Sequence, residues 1–239
     1  MSVWRGAKLL VRYEWATAGY GVIFNLVLIA FFGIATTPLF LDLRDGDAFE
    51  PVSAGIMNFM MFAILPCLGF FMNKTTFNGW QEDYVSSRLA AFRQLPISYR
   101  QLAAGKLLTV MTLFVPSIVL FIGLQYALLL NQLLSPLEML NFLLFWMGYG
   151  VGTAVCYAFL EMTMDGKKYF AVSFVISFLF LGVGILIALM NWNIMHWLIN
   201  QANRGNWIPT AAALAVGAIV YMSMYNLLVR SLSRRTFIG

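Results

Sequence analysis

Residues Lys74 to Lys106 read KTTFNGWQEDYVSSRLAAFRQLPISYRQLAAGK and hold five of the fifteen cations in a chain that is otherwise apolar. One Arg at a bilayer centre costs about 2.5–3.5 kcal/mol on insertion scales. A segment with Lys74, Arg88, Arg93, Arg100 and Lys106 is therefore expected outside the hydrocarbon. Within it, Gln81 to Gln94 reads as a short helix. Glu82 and Asp83 fall in its first turn and Arg93 in its last, the charge order that a helix dipole favours. Val85, Leu89 and Phe92 recur at spacings of four and three, making one apolar stripe, with Arg88 beside it. Pro96 closes the helix, because the residue before a proline avoids the α conformation. Ser98 and Gln101 then have the spacing of a capping box for the next helix, with Ile97 and Leu102 as a hydrophobic staple. A short amphipathic helix between two membrane spans is the shape of a docking surface for a soluble partner.

Composition agrees with membrane residence. Of 239 residues, 61% are hydrophobic and 10% are charged, where a soluble domain carries about 25% charge. The net charge of +5 would suit nucleic acid in a soluble protein. Here the cations sit at membrane borders, where anionic headgroups account for them, so no nucleic-acid partner is expected. Cys67 and Cys156 both fall inside apolar stretches and read as thiols buried in lipid or between helices, not as a disulfide or metal pair. The apolar run after the basic N-terminus exceeds the length of a signal-peptide core, so no cleavable leader is expected.

Residues 2–15, SVWRGAKLLVRYEW, set Arg5, Lys8 and Arg12 on one side and Trp4, Ala7, Val11 and Trp15 on the other. Residues 1–16 are thus expected to form a helix lying in the membrane interface. Uncharged stretches follow at 15–41, 51–73, 107–137, 139–160, 169–203 and 205–229. About 20 residues span the hydrocarbon, which predicts six helices near 18–40, 54–72, 106–129, 138–160, 168–189 and 208–229. With both termini in the cytoplasm, thirteen cations lie inside and only Arg44 and Arg204 outside, as the positive-inside rule requires. The expected fold class is therefore an all-α membrane protein with six transmembrane helices and a cytoplasmic region at 74–105.

The outer segments are short. Asp42 to Glu50 is acidic but lacks the ligand spacing of an EF-hand and reads as a solvated loop. Ser135, Pro136 and Glu138 predict a second capped helix start. The fifth apolar stretch is too long for one span. Its end mixes Trp192, Trp197 and Trp207 with Asn191, Asn193, Asn200 and Asn203, so residues 190–207 are expected to hold a short re-entrant helix in the outer leaflet. His196, the single histidine, belongs to this interfacial stretch and not to a catalytic site.

Sites of chemistry are not legible. No GxxxxGK[ST], HExxH or GxSxG occurs, so no catalytic residue and no metal ligand is assigned. Gly148-Tyr149-Gly150 lies within a span, where Gly148 and Gly152 read as a close helix contact and not as an ion filter. The acids nearest the spans, Glu138 and Glu161, sit at helix ends, leaving no proton relay across the membrane. Met57, Met60, Met61 and Ile64 lie in a Met- and Phe-rich second span, whose flexible thioethers suit varied apolar cargo as well as lipid. Pro66 and Gly69 would let that span bend or approach a neighbour closely.

Together these features resemble the permease subunit of an ABC-2-type ABC transporter over the whole chain, 1–239, as a single transmembrane domain. The most specific part is Arg88 to Lys106, where R-x4-R-x-LP-I-S-x-x-Q-L-x-x-G-K is similar to the family's arginine, "LPxs" and "GK" pattern. The resemblance implies that 81–94 is a coupling helix, with Glu82, Asp83, Val85, Arg88, Leu89, Phe92 and Arg93 docking on a separate ATPase. It implies a second contact on the turn carrying Glu161, Met164, Asp165 and Lys167. Two ATPase copies and a second permease, forming a homodimer, would complete the unit. ATP and Mg would be bound by the partner and no cofactor by this chain. The small size and short loops resemble exporters of amphipathic toxin peptides such as phenol-soluble modulins, in a bacterial cytoplasmic membrane. Export of drugs or lipid-like molecules, and a scaffold that only recruits a partner, remain alternatives.

Overall fold

The computed structural model describes residues 2–41, 51–71, 97–190 and 192–234, and among these it is helical without strands. Local sequence explains most helix starts. In α1 (Val3–Ala18) the Ser2 hydroxyl accepts the Arg5 N–H at 3.4 Å. Gly19, at φ 51°, turns the chain into α2 (Gly21–Thr36), a conformation that glycine adopts without a Cβ clash. A 3-10 turn over Thr37–Phe40 extends that helix. Next comes α3 (Pro51–Cys67).

The expected capping box opens α4 (Tyr99–Leu128): Ser98 N–H donates to Gln101 Oε1 at 2.9 Å, and Gln101 N–H to Ser98 Oγ at 3.3 Å. A 3-10 turn at Leu130–Gln132 leads to α5 (Pro136–Thr163), where Glu138 accepts the Ser135 N–H at 2.6 Å. The turn at Met164 and Asp165 leads into α6 (Gly166–Leu189). Asn193 caps α7 (Ile194–Asn203), its Oδ1 accepting the Met195 N–H at 2.8 Å. The last helix is α8 (Ile208–Arg234).

Among the described residues, five helices are long and apolar enough to cross a membrane: Gly21–Phe40, Tyr99–Leu128, Pro136–Thr163, Gly166–Leu189 and Ile208–Arg234. Helix α3 is shorter, at 17 residues. Contacts along the chain fix the relative directions. Gly33 meets Leu124 and Thr36 meets Gln125, at the far ends of α2 and α4, so these two run parallel. Glu161 meets Lys106 and Gly150 meets Phe114, so α5 runs against α4. Helix α3 runs with α5, as Phe62 touches Tyr149 and Gly69 lies at Ala154. It runs against α6, with Gly55 at Ala188 and Phe62 at Phe180. Helix α8 runs with α5, from the Asn141–Thr210 contact to the Gly152–Val220 contact. The apolar helices thus alternate in direction along the chain.

Among the described cations, Arg5, Lys8, Arg12, Arg100, Lys106, Lys167, Lys168, Arg230 and Arg234 lie at or toward one end, the basic end, and Arg204 lies at the other. Close backbone packing joins α5 to α8. A Cβ on Gly148 would stand 2.5 Å from the Ala213 carbonyl carbon, and one on Gly217 2.5 Å from the Gly148 oxygen. Of the two expected contact glycines, Gly148 faces Gly217 at a crossing that admits no side chain at either, while a Cβ on Gly152 would meet α8 only at an ordinary 3.7 Å.

Several expectations shift. Helix α1 is amphipathic, but it buries Gly6, Ala7 and Leu10 and leaves Trp4 65% exposed. It runs parallel to the first turns of α4, with Gly6 and Leu10 against Gln101 and Gly105 and Trp15 bonded to Thr112. Gly6 and Gly105 allow the close approach, Gly6 making room for Gln101 and Gly105 for Leu10. The second apolar segment is helical over Pro51–Cys67 rather than 54–72, since Pro66 lacks the N–H that would continue the ladder. The helix of the third segment begins at Tyr99, as the capping box at Ser98 and Gln101 predicts, so Lys106, where the span was expected to begin, lies two turns into it. The re-entrant stretch at 190–207 contains α7, packed on α5, with Trp192 and Trp197 ring centroids 6.2 Å apart.

Candidate functional site

The basic end brings together groups from four helices. Lys106, in α4, lies 2.8 and 2.7 Å from the two carboxylate oxygens of Glu161, in the last turn of α5. Their side chains are only 15% and 22% exposed. Phe70, just beyond α3, lies with its ring centroid 5.6 Å from the ammonium, within cation–π range. Tyr169 of α6 is within electrostatic reach of Glu161. Leu10 of α1 packs on Gly105, next to Lys106. An ion pair at this exposure is screened less than a surface pair, and losing either partner leaves a poorly hydrated charge behind.

Of the residues expected to dock, Glu82, Asp83, Val85, Arg88, Leu89, Phe92 and Arg93 lie outside the described residues, as does the whole 81–94 segment. Those of the second contact are described. Met164 and Asp165 form the turn between α5 and α6, and Lys167 is exposed beside it. Lys168 pairs with Asp165 at 2.9 Å on the surface. Glu161 stands apart from this turn: it faces inward to Lys106. Sequence reading placed Lys106 in the loop and Glu161 on the turn and missed the pair. Charge sign and helix direction placed both groups toward one end, but not which of the charges there would meet.

The proposed cargo-lining residues sit in packed core. Met57 and Met61 are fully buried and Ile64 nearly so, in one cluster with Phe114, Ile118, Phe121 and Trp146, while Met60 is half-buried against it. They line no open path in this conformation. Lining one requires α3 to part from its neighbours.

Helix α3 has features suited to movement. Pro66 leaves the Phe62 carbonyl without its helical donor, and the Tyr149 hydroxyl donates to that oxygen at 3.1 Å. Among the described residues, the fully buried Asn58 finds no hydrogen-bond partner for its amide nitrogen or oxygen, and the Trp146 indole N–H finds none either. A buried polar group left unmade costs about 1–3 kcal/mol, so this seam is held below its best attainable stability. By contrast, Gln125 donates to Thr36 at 2.7 Å and Asn25 donates to the Phe70 carbonyl at 2.7 Å, fixing α2.

At the opposite end, Asn141, Gln201, Asn206 and Thr210 line a narrow cleft among α5, α7 and α8. Asn141 Nδ2 donates to the Asn206 carbonyl at 3.1 Å, Asn206 Nδ2 to Gln201 at 2.7 Å, and Thr210 to Asn141. This network holds α7 on the bundle. His196 contacts Asn200 at 3.2 Å within α7. Cys67 is the last residue of α3 and lies on the outside of the bundle, its thiol donating to the Ala63 carbonyl at 3.3 Å, and Cys156 is half-buried, both compatible with the expected burial in lipid or between helices.

Comparison with family models, characterised proteins and solved structures found no match.

Proposed function

We propose that this chain is the membrane-spanning permease subunit of an ATP-driven ABC-2-type exporter, moving amphipathic peptides out across a bacterial cytoplasmic membrane. The observation that carries the reading is the alternation of direction among the apolar helices, combined with the cations gathered at one end. Helix α3 supplies the sixth crossing. Its neighbours α2 and α4 are parallel, which supports a return through α3, whose 17 residues rise about 25 Å. The positive-inside rule then sets the basic end, both termini and residues 74–105 in the cytoplasm.

In this reading 81–94 docks on a separate ATPase, which binds ATP and Mg. Closure of the ATPase pair pushes that segment. The displacement enters α4 at Tyr99 and reaches α5 and α6 through Lys106 and Glu161. Helix α3, with its proline and unsatisfied Asn58, is the element that yields, opening Met57, Met60, Met61 and Ile64 toward the cargo. The outward apolar faces of α2, α6 and α8 leave surface for lipid and for a second permease copy.

The test is co-purification. The wild-type chain is expected to retain an ATPase subunit, and Leu89→Asp with Phe92→Asp to lose it while still inserting in the membrane. Retention by the double variant would refute the docking assignment.

A further inference from the structure

The inward stripe of α6 has two halves. Phe180, Gly184 and Ala188 pack on Phe62, Phe59 and Gly55 of α3. Toward the basic end, past the level where α3 stops, the same stripe turns polar as Tyr169, Ser173 and Ser177, while Phe174 and Phe178 stay exposed on the lipid side. Opposite, Tyr149, Thr153 and Tyr157 fall within about 80° of one another around α5. Tyr157 reaches Ser177, and Tyr169 reaches Glu161. Ser177 lies about 16 Å along α6 from Gly166 and Thr153 about 15 Å along α5 from Thr163. The hydroxyls therefore run from the basic end to the middle of a hydrocarbon layer about 30 Å thick.

Polar side chains between membrane helices serve as glue when they bond across the interface. Thr153 and Ser177 instead turn back to carbonyls of their own helices, each at 3.0 Å, and Ser173 finds no partner among the described residues. Helix α6 packs along α3 and scarcely on α5. Beyond Tyr149 the track continues with the Trp146 indole N–H and the Asn58 amide, both buried and, among the described residues, unpartnered. Asn58 lies about 40° from Phe62 around α3, and the Phe62 ring is 6.3 Å from that of Trp146. We propose that this track binds the polar face of an amphipathic peptide. Its neutral hydroxyls and amide supply donors and acceptors that an acyl chain cannot match. Met57 and Met61, about 60–100° round α3 from Asn58, take the apolar face. The inference rests on the export reading for its cargo and adds where that cargo binds; its test needs no ATPase.

The full chain, in a C67S/C156S background in nanodiscs, carries T153C or S177C on the track, F174C or F178C on the lipid side, or S233C at the exposed basic end. It is reacted with a charged, membrane-impermeant maleimide. Only the thiolate reacts and lipid suppresses it, so T153C and S177C should label at least about ten-fold faster than F174C and F178C. An amphipathic helical peptide should slow labelling of S177C and leave S233C unchanged. Adding N58L should raise the half-protecting peptide concentration by about five-fold, the loss of one hydrogen bond, without changing the S177C rate in the absence of peptide. Unfolding midpoints verify that the variants fold. S177C labelling no faster than F178C would overturn the track, and fast labelling that the peptide does not slow would overturn its occupant. Peptide protection in a chain that shows no ATP-dependent uptake would uphold the site while refuting the ATPase-driven reading.

Discussion

Replacing Glu161 by Gln removes the charge opposite Lys106 and keeps the shape of the side chain. Breaking a fully buried pair from one side costs 3–5 kcal/mol. Here the side chains are 15% and 22% exposed, so the expected destabilisation is discounted to about 2–3 kcal/mol. For a chain of 150–250 residues each kcal/mol moves the midpoint by about 2–4 °C, which predicts a fall of roughly 5–10 °C for Glu161→Gln. Lys106→Met leaves the carboxylate unpaired and should fall at least as far. The exchanged pair, K106E/E161K, restores opposite charges over the same combined reach but loses the cation over Phe70, so it should recover most of the loss and not all. Thermal unfolding of the four proteins in one lipid nanodisc measures this. A Glu161→Gln midpoint within about 1 °C of wild type, or an exchanged pair no better than the worse single variant, would refute the reasoning.

Other sites give independent outcomes. Gly148→Ala should destabilise by about 1–3 kcal/mol, because the new methyl meets Ala213 backbone that no rotamer change can clear. Gly182→Ala, where a Cβ meets nothing within 4 Å, should be neutral or raise the midpoint in the same unfolding assay. Tyr149→Phe should lose about 1 kcal/mol through its bond to the Phe62 carbonyl. That loss should shrink in a Pro66→Ala background, where the helix supplies its own donor, and a double-mutant cycle reads the coupling. Asn58→Leu should stabilise by about 1–3 kcal/mol, since it removes an unpartnered buried amide. If the chain exports peptides as proposed, the same variant is expected to be slower in peptide-export assays, because it tightens the seam that opens in that reading.

The helical class and most helix positions were legible because they rest on local rules. Ser98 with Gln101, and Ser135 with Pro136 and Glu138, marked two starts that the structure places there. Gly148 was readable as a close crossing, though not against which helix, and Gly152 beside it makes only an ordinary contact. What remained hidden depends on partners distant in sequence. The basic helix showed two faces, but the buried one is made of Gly6, Ala7 and Leu10, with Trp4 left outside, because Gln101 and Gly105 of α4 set which residues fit against it. Lys106 read as a loop cation because composition does not reveal a carboxylate 55 positions away. Met57, Met61 and Ile64 read equally well as cargo path or core, and periodicity cannot separate the two. The docking stretch 81–94 rests on sequence alone.

The central claim is that the chain draws its work from a separate ATPase through that stretch. The most direct measurement is uptake of a fluorescent amphipathic helical peptide into inside-out vesicles from cells making the wild type or L89D/F92D. The account predicts uptake that needs added ATP, is absent without the chain, and is abolished in L89D/F92D at equal membrane abundance. Uptake by the chain that continues without nucleotide, or that is the same in L89D/F92D, would contradict it.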